Sequence, residues 1–150
     1  MKARFVFLPV VAVSVALFMF AWGVVIQAQT GKHLFLYGGA DHKTVLGCLN
    51  CKASSTDSVC NPKGEYGGIY LDTIWNGGSV FGSTFSPSSP WNQMSVYPPI
   101  IEDKDGHSYG NFTINADNHR TTIPWLVKIL HYYLQVGDDL GKTRNSLCGN

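Results

Sequence analysis

The chain has 150 residues, with 11 Lys or Arg, 10 Asp or Glu and a formal net charge of +1. Lys2 and Arg4 are the only charged residues before residue 31, so residues 31–150 carry a net charge of −1, from nine basic and ten acidic side chains. A near-neutral domain without a basic stripe argues against nucleic acid as the main partner, because phosphate neutralisation needs clustered Lys and Arg. It also argues against electrostatic docking to an anionic membrane.

Residues 1–28 are predicted to be a signal peptide. Lys2 and Arg4 give a positive start, and no charge follows from Phe5 to Ala28. The alternative is a retained membrane anchor, since an apolar run of about 20 residues spans a bilayer. In both cases residues 31–150 are predicted to form a single exported domain, secreted or periplasmic. The domain would contact a membrane only through residues 5–28, and only if they are retained.

Two short strands are predicted at residues 33–37 and 44–49, because both are apolar runs bounded by turn residues. The cysteines that follow indicate two disulfides in an oxidising compartment, with three pairings open. A redox CxxC needs a helix after it, and none is predicted there. A zinc site lacks a second ligand pair, even if His42 is added. The predicted disulfide cysteines are Cys48, Cys51, Cys60 and Cys148.

A diverged repeat of about 15 residues occupies residues 57–92. The first copy runs from Asp57 to Leu71, the second from Asp72 to Ser86, and a third breaks off after Asn92. The region is rich in glycine and its aromatics do not recur at helical spacing. We therefore expect stacked turns with very short extended pieces.

The aromatic residues of this region have two interpretations. They form the core of a domain that is poor in aliphatic residues, or they form an exposed platform that binds an envelope glycan or another exported protein. If Trp75 and Trp91 are buried, the glycan interpretation is to be dropped. The candidate platform consists of Tyr66, Tyr70, Trp75, Phe81, Phe85 and Trp91.

A β-hairpin and a helix are predicted after the repeats. The segment before Asp103 and the return from Tyr109 to Ile114 flank a strong turn, Asp103 to Gly106. This turn lacks the twelfth-position glutamate of a calcium loop, which leaves weak calcium binding by Asp103 and Asp105 as an alternative to a simple turn. Residues 123–136 combine Pro124 in the first turn with a wide apolar face, which is typical of a helix. No element is predicted in the polar tail, residues 138–150.

One acid–base cluster is conceivable. Asp105, His107, Asp117 and His119 would come together if their loops converge, and such a cluster can support hydrolysis. No GxSxG nucleophile elbow accompanies it.

The stretch from Val45 to Thr113 resembles a family of small exported bacterial proteins of unknown function. That family shows "LGxLxC", repeated "SIWNxYGxYGSxYS" units, "SPWN", a "PP" segment, a hydrophobic pair before "DxxG", and "YGxxT". The counterparts here are Leu46 to Cys51, the two repeats, Ser89 to Asn92, Pro98-Pro99, Ile100 to Gly106 and Tyr109 to Thr113. The repeats depart from the pattern at Cys60, Ile69 and Gly77-Gly78. The resemblance implies compartment and architecture but no activity.

Together these features predict an α+β domain, β-rich and irregular, with short strands, repeated turns and one C-terminal helix. The expected role is a non-enzymatic binding or structural module of the cell envelope or extracellular space, without a cofactor. The first alternative is a secreted or periplasmic hydrolase that uses the Asp105/His107/Asp117/His119 region. The second is a metal-binding accessory protein.

Overall fold

The computed structural model describes residues 31–116 and 118–149. The predicted signal or anchor, residues 1–28, and the candidate acid Asp117 lie outside the described residues. Within the described part, no helix is both long enough and apolar enough to cross a membrane.

Four short strands form one antiparallel sheet in the order β2-β1-β3-β4. They are β1 (Phe35–Gly38), β2 (Thr44–Cys48), β3 (Ile100–Glu102) and β4 (Ser108–Asn111). β1 and β3 lie in the middle, and their Leu36 and Ile101 are paired and fully buried. The two predicted N-terminal strands and the predicted hairpin are confirmed.

The predicted helix is confirmed as α1 (Pro124–Gln135). Its inner face consists of Leu126, Ile129, Leu130 and Tyr133, spaced as an amphipathic helix requires. A second helix, α2 (Leu140–Cys148), was not predicted. Asp139 caps it by accepting a hydrogen bond from the Lys142 amide. The fold class is therefore confirmed, but the domain ends in two helices instead of one.

Both disulfides are formed within the described residues, and no cysteine there is free. Cys48 pairs with Cys51, and Cys60 pairs with Cys148, with Cα–Cα distances of 5.5 and 5.4 Å. The second bridge attaches the end of α2 to the middle of the chain. Disulfides of this kind fit an oxidising extracellular or periplasmic location.

Three similar turns, which we call the Asn turns, follow one another between residues 58 and 95. In each, a Ser or Thr hydroxyl accepts from the amide two residues later, at Ser58, Thr73 and Ser89. In each, the side-chain oxygen of an Asn also accepts from the amide two residues later, at Asn61, Asn76 and Asn92. These local bonds satisfy backbone groups without long strands, as the glycine-rich sequence predicts.

Two buried tryptophans connect the Asn turns. Trp75 Nε1 donates to the Val59 carbonyl at 2.7 Å, and Trp91 Nε1 donates to the Ile74 carbonyl at 2.6 Å. Each indole thus donates to the previous turn. The accepting carbonyl lies one residue before the position that corresponds to the tryptophan, which is Cys60 in the first turn and Trp75 in the second. At the last turn, the Ile114 amide donates to the corresponding Pro90 carbonyl at 2.9 Å. We call this series of bonds the indole ladder.

The indole ladder also anchors the core to α1. The Trp91 ring lies 5.8 Å from the Trp75 ring and 4.6 Å from the ring of Tyr133, measured between centroids. Phe112 contacts the same indole edge-on at 5.5 Å. Aromatic residues therefore provide much of the core.

Candidate functional site

The structure divides the six predicted platform residues. Trp75, Trp91 and Phe81 are only 3%, 1% and 6% exposed, and Tyr66 packs partly buried against the core. The prediction of a single six-ring platform is wrong, because the indoles are needed inside the domain as hydrogen-bond donors between turns. The glycan interpretation, which depended on exposed tryptophans, is dropped.

The other two platform residues face solvent almost completely. Tyr70 is 90% exposed and Phe85 is 92% exposed. Each lies nine residues after the Asn of its turn, Asn61 or Asn76. The same turn geometry that buries the tryptophan side chains therefore leaves these two rings in water.

Further exposed apolar residues cluster in the same part of the chain. Of the ten exposed large hydrophobic residues among those described, eight lie between residues 69 and 97. Single exposed apolar residues are normal on protein surfaces, whereas apolar residues that are contiguous in space, as Ile69, Tyr70 and Leu71 are, are typical of an interaction site. We call this set the apolar segment; its members are Ile69, Tyr70, Leu71, Val80, Phe85, Met94, Val96 and Tyr97.

A groove of about 450 Å³ lies at the start of the apolar segment. Ile69, Tyr70 and Leu71 line it together with backbone at Gly64, Gly67 and Gly68. A side chain at Gly67 could not be accommodated, since its Cβ would lie 2.6 Å from the Asn61 carbonyl carbon. Position 67 therefore has to be glycine, because it packs directly against the backbone of Asn61.

The groove has a positive edge, formed by Lys63 and Arg144. The Arg144 guanidinium donates from Nη2 to the Cys60 carbonyl at 3.0 Å, while its buried Nε has no hydrogen-bond partner among the described residues. No carboxylate lines the groove. Sequence reasoning missed Arg144 because it lies on the unpredicted helix, 81 to 84 residues from the turn that it contacts.

The predicted acid–base region is organised around Asp103, which is not one of the four residues predicted for it. Its side chain is only 2% exposed and accepts from Lys32 Nζ at 2.7 Å and Tyr109 Oη at 2.9 Å. It also accepts from the amides of Asp105 and His107. These bonds, led by the one from Lys32, hold the pKa of the Asp103 carboxyl well below its usual range. The same contact raises the pKa of Lys32, and hydrogen bonding to Asp103 raises the pKa of Tyr109.

A carboxylate held in this way is a poor general base, since it has little tendency to take up a proton. Asp105 and His107 are exposed on the hairpin loop, with ligand atoms within 4.8 Å of Asp103. His119 is exposed and does not belong to that group. The structure therefore brings two of the four predicted residues together, around a structural carboxylate. It gives no position for Asp117.

Among the described residues, two groups of side chains have the composition of metal ligands, and each has a different explanation. The Lys32 ammonium already bridges Asp103 and Asp105, at 2.7 and 3.1 Å, and supplies the positive charge that a cation would bring. At the second group, His33 lies beside Cys48 and Cys51, whose sulfurs are joined in a disulfide and offer no thiolate. The zinc interpretation of these cysteines is therefore wrong.

Comparison of the chain with protein-family models, curated proteins and solved structures finds no match.

Proposed function

We propose that this chain is an exported, non-enzymatic binding module that recognises another exported protein through the apolar segment and its groove. The observation that carries the proposal is the exposure of Tyr70 and Phe85, 90% and 92%. Aromatic rings are enriched at the centres of protein interfaces, where their burial contributes most of the binding energy. Rings that are exposed to water in the free domain keep their apolar surface available for burial against a partner.

The scaffold beneath these rings supports a binding role. The Cys60–Cys148 disulfide at the first Asn turn and the buried indole ladder fix the Asn turns in place. A rigid surface loses little conformational entropy when a partner binds. The predicted signal peptide and the sequence repeat of residues 57–92 fit the same role: an exported scaffold that presents equivalent rings from successive turns.

The charge of the groove narrows the chemistry of the partner. Lys63 and Arg144 form its edge and no acidic side chain lines it. Opposite charges across an interface increase the rate and the specificity of association. The partner is therefore expected to present apolar side chains together with an acidic group.

Site-specific photocrosslinking in the native exported fraction tests this proposal. A photoreactive phenylalanine analogue replaces Tyr70 or Phe85 in turn, and the control replaces Leu134 on α1, which is 40% exposed. We expect one discrete crosslinked protein from positions 70 and 85 and none from position 134. The product from position 70 is expected to weaken when Phe85→Ser is added. Identical products from all three positions, or none from positions 70 and 85, would contradict the proposal.

A further inference from the structure

The two disulfides constrain very different lengths of chain. Cys60 and Cys148 are 88 residues apart, whereas Cys48 and Cys51 are 3 residues apart. A disulfide that closes so short a loop restricts the unfolded chain far less than one that closes a long loop. Stability of the fold is therefore a weak explanation for the Cys48–Cys51 bridge.

The Cys48–Cys51 bridge has one accessible sulfur and one protected sulfur. Cys48 lies at the end of β2 and is fully buried, while Cys51 is partly exposed. Cys51 borders two cavities. One, of about 280 Å³, is shared with His33, Lys52 and Lys104, as well as Asp57. The other, of about 330 Å³, is shared with Cys60 and Cys148. An attacking thiolate can therefore reach Cys51 but not Cys48.

Each sulfur has a polar partner that suits its reduced form. His33 Nδ1 lies 3.4 Å from Cys51 Sγ, and Asn50 Oδ1 lies 3.6 Å from Cys48 Sγ. Asn50 is held in place independently, since it accepts from the Leu34 amide and donates to the Lys32 carbonyl, both at 2.8 Å. A disulfide sulfur has no proton to donate, so Asn50 gains a bond from Cys48 only when Cys48 is a thiol. A histidine N–H and nearby lysines stabilise a thiolate at Cys51.

We propose that Cys48–Cys51 is a redox-active disulfide that exchanges with an exported dithiol protein. A thiolate of the dithiol attacks Cys51 Sγ, the Cys48–Cys51 bond breaks, and the Cys48 sulfur takes up the proton of the second thiol of the dithiol. The S–H group of Cys48 then donates a hydrogen bond to Asn50 Oδ1. The second thiolate of the dithiol then attacks the mixed disulfide and releases Cys51 as a thiolate beside His33. The dithiol loses two electrons and becomes a disulfide, and this chain gains them as a reduced pair.

His33 and the lysines take the place that a helix N-terminus has in other CxxC sites. No helix begins directly after Cys51, as the sequence predicted; the next helix along the chain is α1. His33 lies 18 residues before Cys51, and β1 and β2 pair antiparallel between them, which brings the two side chains together. The proposal concerns a different surface from the apolar segment and does not depend on the proposed binding function.

Equilibration of the full chain in glutathione buffers tests the proposal. Free thiols are alkylated at each ratio of reduced to oxidised glutathione, and mass spectrometry measures the reduced fraction of each cysteine. We expect Cys48 and Cys51 to be reduced together in folded protein, at a value of [GSH]²/[GSSG] at least tenfold lower than that for Cys60 and Cys148. Simultaneous reduction of both bridges, or reduction of Cys48–Cys51 only in denaturant, would overturn the proposal.

A positioning role for His33 has its own readout. His33→Ala is expected to raise the [GSH]²/[GSSG] value for half-reduction of Cys48–Cys51 about tenfold, because a hydrogen bond to a charged group is lost. His33→Gln keeps an N–H donor and is expected to restore part of the shift. The matched control is His131→Ala, at an exposed histidine on α1. Equal values for His33→Ala and His131→Ala would show that His33 does not stabilise the thiolate.

Discussion

Replacement of Gly82 by alanine is predicted to destabilise the domain severely, although alanine is the smallest side chain available. Gly82 packs directly against the second Asn turn. A Cβ there would lie 2.5 Å from the carbonyl carbon of Asn76 and 2.9 Å from the Thr73 oxygen, both backbone atoms. Neither neighbour can rotate away, so the chain itself has to move apart by about 1 Å to reach ordinary carbon contact distances.

This displacement strains the contacts that close the turn. The Gly82 amide donates to the Ser79 hydroxyl at 3.0 Å, and Ser79 donates to the Thr73 carbonyl at 2.8 Å. Two weakened hydrogen bonds cost about 1 kcal/mol each, and overpacking adds about 1–3 kcal/mol. The smaller entropy of unfolded alanine returns about 0.4–1 kcal/mol. The expected net loss is about 3 kcal/mol, a large part of the stability of a typical domain.

Urea unfolding with both disulfides intact, monitored by tryptophan fluorescence, measures this loss of stability. Gly78→Ala is the matched control, because a Cβ at Gly78 would meet only Asn76 Oδ1 at an ordinary 3.5 Å. We expect the control to be neutral, or stabilised by up to about 1 kcal/mol. A difference of less than about 1 kcal/mol between the two variants would refute the packing argument.

Three further predictions concern the bridges, the hairpin and α2. Replacing both Cys60 and Cys148 by serine is expected to lower the free energy of unfolding by about 4–5 kcal/mol, since that bridge spans 88 residues. The stability of the wild type is expected to fall as the pH drops below about 4, because the folded pKa of Asp103 lies below its unfolded value, and Asp103→Asn should flatten this dependence. Asp139→Ala removes the cap of α2 and is expected to cost about 1 kcal/mol.

Urea titrations decide each case. A double serine variant within about 1 kcal/mol of wild type would show that the tail docks without its bridge. An Asp103→Asn variant that keeps the full acid sensitivity would assign that sensitivity to other carboxylates. For α2, Asp139→Asn keeps a capping oxygen, so equal losses for the Ala and Asn variants would argue against capping as the cause.

The elements that could be predicted from sequence are those with a local signal. The α1 residues Leu126, Ile129, Leu130 and Tyr133 carry a complete helical period, and the turn from Asp103 to Gly106 marks the hairpin. α2 has no such signal, because only Thr143 is fully buried along it. The Asp139 cap and the disulfide at Cys148 stabilise α2. The partner of Cys148 could not be identified from the spacing of the cysteines.

The orientation of the aromatics could not be predicted, since buried and exposed rings share the same spacing of 15 or 16 residues. One repeat position did carry a signal of burial. When the repeats are aligned, the position directly before the Asn forms a column that contains Cys60, Trp75 and Trp91. Cysteine is among the most buried residue types, so a column that accepts it faces the interior. The role of Asp103 also depends on contacts that are distant in sequence, above all with Lys32, 71 residues away.

The end of the indole ladder has a consequence for how chains of this design can vary in length. The carbonyls of Val59 and Ile74 accept from an indole, whereas the equivalent Pro90 carbonyl accepts from the Ile114 amide. The same carbonyl position therefore accepts a hydrogen bond either from the indole of a further turn or from the backbone of the segment that follows β4. Insertion or deletion of one whole turn leaves each of these carbonyls with a hydrogen-bond donor. A change of any other length leaves a buried carbonyl without one. Natural variants of this scaffold are thus expected to grow and shrink in whole-turn steps.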